Sequence, residues 1–172
     1  CRYQINAPAG HYIGLSFDPF FLQDKNDFVS VYDGPEINEA KLIQKFDVTS
    51  PTTQCQGPSN QMTLLFHTDN AKVDIGWYAK WVAKKVLPPI NQSGPSGVLT
   101  SPNYPNHYDS FTNQLYTVRV NPSSRVRAKV VDFNTEENYD TLLIYEGVVQ
   151  EPQFLVANLS GTRGVKWDHT FA

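Results

Sequence analysis

Apolar and polar residues trade places with a two-residue period over short runs along most of the chain. Tyr3 and Ile5 alternate with Arg2 and Gln4, and Ile13, Leu15 and Phe17 alternate with Tyr12, Gly14 and Ser16. Leu64 and Phe66 share one face of residues 62–66, and Trp77, Ala79 and Trp81 share one face of 77–81. Side chains alternate across a strand in this way, so the pattern predicts strands at these places and at 28–32 and 42–46. Pro8-Ala9-Gly10 reads as a turn, residues 18–26 as a loop carrying Pro19, and residues 48–60 as a Pro/Gly/Thr/Ser loop holding Cys55. No segment has a helical period of useful length. Turn signals recur every eight to twelve residues or so, which predicts an all-β sandwich or barrel. The Trp77 and Trp81 face reads as core.

The pattern repeats. Residues 27–34, DFVSVYDG, recur as residues 140–147, DTLLIYEG, 113 positions on (140 minus 27). The same offset pairs Tyr3 with Tyr116, Ile5 with Val118, Phe20 with Phe133, Val29 with Leu142, Val31 with Ile144 and Leu42 with Leu155. A one-residue slip would turn a strand inside out, so alternation kept over this length marks two copies of one unit. Residues 97–113 should have a counterpart before Cys1, and the partners of 62–66 and 77–81 should follow Ala172. The expectation is one and a half repeats from a longer protein. Residues 83–97, AKKVLPPINQSGPSG, shift to Lys, Pro, Ser and Gly. The expected division is therefore a first domain at 1–82, a linker at 83–96 stiffened by Pro88-Pro89, and a second domain at 97–172.

Composition narrows the function classes. The 172 residues carry 14 basic and 17 acidic side chains, a formal charge of -3. The basic residues form no stripe, which sets nucleic acid aside. No apolar run approaches the roughly 18 residues of a membrane span. No zinc-protease, nucleophile-elbow or phosphate-loop motif is present, and His11, His67, His107 and His169 stand singly. Cys1 and Cys55 are too few to define a disulfide scaffold. Asn91-Gln92-Ser93 and Asn158-Leu159-Ser160 fit the glycan acceptor pattern, which has meaning only outside the cell.

Ser101 to Tyr108, SPNYPNHY, preceded by Gly97-Val98-Leu99, resembles the opening signature of the CUB domain. Cys1-Arg2-Tyr3-Gln4-Ile5, Pro8-Ala9-Gly10-His11-Tyr12, Phe66-His67-Thr68-Asp69 and the run from Gly76 to Trp81 match later stretches of the same family. The resemblance covers nearly the whole chain and implies two partial modules, each a jelly-roll-like extracellular β-sandwich. Such modules usually hold two disulfides. Here Gln114 stands at one cysteine position of the second copy, and Asn138 and Ser160 stand at the other pair. The family pairing would join Cys1 to an upstream cysteine. A Cys1–Cys55 bridge and a free Cys55 both stay open.

The resemblance also implies calcium, held in many members by a Tyr, a Glu and two Asp residues. Tyr108, Glu136 and Asp140 match three of these positions in the second copy; Asp27 and Asp69 match in the first, with Gln23 in place of the Glu. The second copy is therefore favoured for the ion, since a carboxamide gives up a charge. A partner would dock a basic side chain at that acidic edge. The implied function is a non-catalytic, secreted or cell-surface interaction segment of a receptor-associated or auxiliary protein that binds another extracellular or membrane protein. The alternative is the accessory region of a secreted astacin-like or complement-like protease.

Overall fold

A computed structural model describes residues 1–162 and 167–172. The chain is all-β, and two single 3-10 turns, Glu39–Lys41 and Pro152–Phe154, are the helical elements among the described residues. The strands are β1 (Arg2–Asn6), β2 (His11–Phe21), β3 (Phe28–Asp33), β4 (Leu42–Phe46), β5 (Gln54–Gly57), β6 (Gln61–His67), β7 (Gly76–Lys85), β8 (Ile90–Ser93), β9 (Tyr116–Arg119), β10 (Arg127–Lys129), β11 (Leu142–Tyr145), β12 (Leu155–Leu159) and β13 (Asp168–Thr170). They gather into two compact units, residues 1–88 with 102–113 and residues 89–101 with 114–172.

The first unit is a sandwich of two sheets, β1-β6-β3-β4 and β5-β2-β7. One sheet brings Val29, Val31, Phe46, Met62 and Leu64 to the core, and the other brings Ile13, Leu15, Phe17 and Cys55. Alternation makes this possible, because every second residue of β2 enters the core while Tyr12, Gly14 and Ser16 face outward. Phe17 anchors an aromatic cluster, with ring centroids 5.1 Å from Phe46 and 5.5 Å from Trp77.

Three features depart from the sequence expectation. β2 runs on through Pro19 to Phe21, into the expected loop. Its pairing with β7 shifts register between Phe17 and Phe20, and such an irregularity tolerates a proline that has no N–H to donate. β5 lies inside the expected 48–60 loop; its short Gln-Cys-Gln-Gly run carries one apolar side chain, and pairing with β2 makes it a strand. Trp77 packs on the core, but Trp81 is 52% exposed although it pairs opposite Leu15.

Among the described residues, the second unit repeats part of the first. β11 and β12 pair as β3 and β4 do, Leu142 with Leu159 matching Val29 with Phe46, and the register irregularity falls between Ile144 and Tyr145 as it does between Val31 and Tyr32. Gly34 and Gly147 close the equivalent turns at φ 88° and 84°. The pairing of β10 with β13 differs. Arg127 lies opposite Thr170, one residue out of step with Gly14 opposite Gln56. β9 pairs in parallel with β8, whereas its counterpart β1 pairs antiparallel with β6.

A three-carboxylate cluster at one end of the first sandwich

β3 and β6 are antiparallel neighbours with Phe28 opposite His67, so the residue before β3 and those just after β6 meet at one end of the sheet. That register brings Asp27 and Asp69 together, and the Asp69 amide donates to Asp27 Oδ1 at 2.9 Å. The turn that leaves β2 adds Asp24. One oxygen from each of Asp24, Asp27 and Asp69 can be chosen so that all lie within 4.8 Å of one another. Asp27 is buried, Asp24 half-buried and Asp69 exposed.

Backbone amides hold the carboxylates in place. Asn26 N donates to Asp24 Oδ1 at 2.7 Å, and Ala71 N donates to Asp69 Oδ1 at 2.8 Å. Next to Asp24 in the chain, the buried Oε1 of Gln23 accepts no hydrogen bond. Buried acceptors are rarely left so. Oxygens on opposite sides of a calcium ion bound at about 2.3–2.6 Å lie about 5 Å apart, which the spread of this cluster matches. Three hard anionic oxygens suit calcium better than a softer metal. Asp24, Asp27 and Asp69 would hold such an ion.

Asp27, Asp69 and Gln23 were named from sequence; Asp24 was not. Its signal was an acidic residue three before Asp27 in a polar turn, but only the path of the turn brings the two together. In the other predicted set, Tyr108 belongs to the first unit, and Glu136 and Asp140 belong to the second. There Asp140 N donates to Glu136 O at 3.0 Å, and Thr135 Oγ1 donates to Asp140 O at 3.0 Å. Asn91 and Asn158 are exposed strand residues of the second unit. Cys1 and Cys55 are free thiols, Cys1 exposed and Cys55 buried. No helix among the described residues is long and apolar enough to cross a membrane.

Comparison with known proteins agrees with the repeat. The chain is 29% identical over 157 residues to cubilin of Rattus norvegicus, a match that covers 86% of this chain and 4% of cubilin. It is 27% identical to embryonic protein UVS.2 of Xenopus laevis, with 87% of this chain and 30% of that protein covered. It is 23% identical to tolloid-like protein 1 of Mus musculus, with 90% and 20% covered. The chain thus spans less than a third of each of these relatives. The CUB1-EGF-CUB2 domain of human MASP-1/3 aligns with 99% of this chain and 82% of its own length, at 17% identity and a TM-score of 0.42. The CUB domain description, that of a generally extracellular and non-catalytic interaction module, matches residues 1–81 and again 91–166. With both halves of the 113-residue repeat matched by one description, this chain belongs to the CUB domain family.

Proposed function

We propose that this chain is a non-catalytic protein-binding segment of a secreted or cell-surface protein, of the receptor-associated or auxiliary kind. In this reading it comprises a first module at 1–82, a linker at 83–96 and a second module at 97–172. Calcium held by Asp24, Asp27 and Asp69 sets the shape of the loops at one end of the first sandwich, and a partner presents a basic side chain to that acidic edge. The observation that carries this reading is the three-carboxylate cluster of Asp24, Asp27 and Asp69. The second module's Tyr108, Glu136 and Asp140 form the rival calcium set. Asn91 and Asn158 carry glycans, consistent with their exposure.

Calorimetric titration of the chain with calcium tests the metal. Heat is expected, with Asp27→Asn weakening binding at least about tenfold because one ligand charge is lost, and Asp140→Asn leaving it unchanged. No heat from the native chain would remove the ion from this function. Loss with Asp140→Asn alone would move it to the second module.

A further inference from the structure

An open cavity of about 310 Å³ lies where the end of β2 meets the connection from β4 to β5, the small end of the ligand-pocket range. Phe20, Phe21 and Leu22 line it from one side, and Asp47 and Val48 from the other. The apolar wall is anchored in the core. Leu22 is buried, and the Phe20 ring packs 5.2 Å from Phe17 and 6.3 Å from Phe46, centroid to centroid. Phe17 N donates to Thr53 O at 2.8 Å, which ties the connection to β2.

The acid in this wall is held by a closed turn. Asp47 N donates to Ser50 Oγ at 2.9 Å, and Ser50 N donates to Asp47 O at 3.1 Å. Thr49 Oγ1 and Thr49 N both donate to Asp47 Oδ1, at 2.6 Å and 2.8 Å. The hydroxyl bond first, and the amide bond after it, hold the Asp47 carboxyl below the usual carboxylate range. Both bonds fall on Oδ1, so Oδ2 is left to a donor from outside. Among the described residues Asp47 makes no ion pair. The nearby Lys45 places its ammonium 3.7 Å from the centre of the Phe28 ring instead. An apolar wall thus adjoins a carboxylate whose charge no side chain of this protein neutralises by contact.

We propose that Phe20, Leu22, Val48 and Asp47 form a subsite for one lysine side chain of a protein partner, with the aliphatic stem on the apolar wall and the ammonium on Asp47 Oδ2. Long cationic side chains lay their stems on apolar surface and keep the charged head wet, which an open cavity beside a half-buried acid allows. One open oxygen suits a compact ammonium, whereas a guanidinium fork takes both oxygens of a carboxylate. The subsite lies at the same end of the sandwich as Asp24, Asp27 and Asp69 but uses none of them and needs no metal. It goes beyond the calcium-dependent edge by giving the partner a second basic side chain to present.

Nuclear magnetic resonance titration of the full 172-residue chain in EDTA tests this, with N-acetyl-lysine methylamide as the probe and the norleucine and arginine analogues as comparisons. The lysine probe should give saturable shifts in the amides of 20–22 and 47–53. Norleucine, which keeps the stem and lacks the charge, and arginine should each bind about threefold to fivefold more weakly, the range of one exposed ion pair. Asp47→Asn keeps an oxygen for Thr49 and should weaken the lysine probe by about the same factor, while Asp27→Asn leaves it unchanged. Val48→Ser, which keeps the charge and removes part of the wall, should also weaken it. Shifts that do not saturate, an equal response to norleucine or arginine, or lysine binding unchanged in Asp47→Asn would each overturn the subsite. Shifts confined to 23–27 and 68–70 and lost in Asp27→Asn would also overturn it, and would place the basic side chain on the carboxylate cluster alone.

Discussion

Cys55 shows how burial decides the chemistry of a single side chain. It faces Leu15 across the β2–β5 ladder within the core, and burial pushes its thiol from 9.0 up to about 12. The nucleophile is the thiolate, so the folded protein should be inert at this position. Alkylation at pH 8 is expected to label Cys1 alone in the native chain and both cysteines after denaturation. No labelling in either state would show that the two are bridged. The pH dependence follows. A thiol whose pKa is higher folded than unfolded stabilises the fold fully below the unfolded value near 9 and loses that contribution as pH rises toward about 12. Urea unfolding between pH 8 and 11 should show a decline in stability that Cys55→Ala flattens, and an unchanged slope would mean the thiol titrates normally. Neither behaviour is legible from a lone Cys in a Pro/Thr/Gly loop. Burial here comes from the neighbours on β2, not from the local sequence.

Strands with their own apolar alternation were legible, and strands made by their neighbours were not. β4 lies where its pattern put it, at Leu42–Phe46, and β12 lies 113 residues on at Leu155–Leu159. β5 and β8 carry few apolar residues and become strands by completing a ladder, which no local pattern announces. The acids at the sandwich end divide the same way. Asp27 and Asp69 flank legible strands, whereas Asp24 depends on the path of a turn. The repeated strand-turn unit offers a controlled comparison. Gly34 N donates to Gln61 O at 2.8 Å, and Gly34 O accepts from the buried Thr63 hydroxyl at 2.8 Å, which fix the first turn in its left-handed conformation. Gly147 has the same conformation at the end of β11. Alanine in either place should cost about 1–2 kcal/mol through left-handed backbone strain. For Gly34→Ala the check is the urea midpoint. For Gly147→Ala it is exchange protection in the β11–β12 peptides, and no change in either would mean that the turn tolerates another conformation.

At the scale of the whole chain, the two copies of the repeat bury very different cores. Phe17, Phe46, Ile13, Leu15, Met62, Val29 and Val31, all essentially inaccessible, belong to the first unit. Among the described residues of the second, Leu159 is the one buried large hydrophobic. Apolar burial is the main favourable term in folding, so the first unit should be the more stable and should retain exchange protection at urea concentrations where the second has lost it. The same exchange measurement tests which unit calcium binds. A ligand that binds only the folded form stabilises the unit that holds it by about 2.7 kcal/mol at a hundredfold excess over its dissociation constant. With calcium held by Asp24, Asp27 and Asp69, peptides of β3 and β6 should gain protection of that size, and those of β11 and β12 none. Asp27→Asn should erase the gain without moving the calcium-free midpoint of the second unit. A gain confined to β11 and β12 would instead assign the ion to the Glu136 and Asp140 loop, leaving the first cluster as three acids held by backbone amides alone.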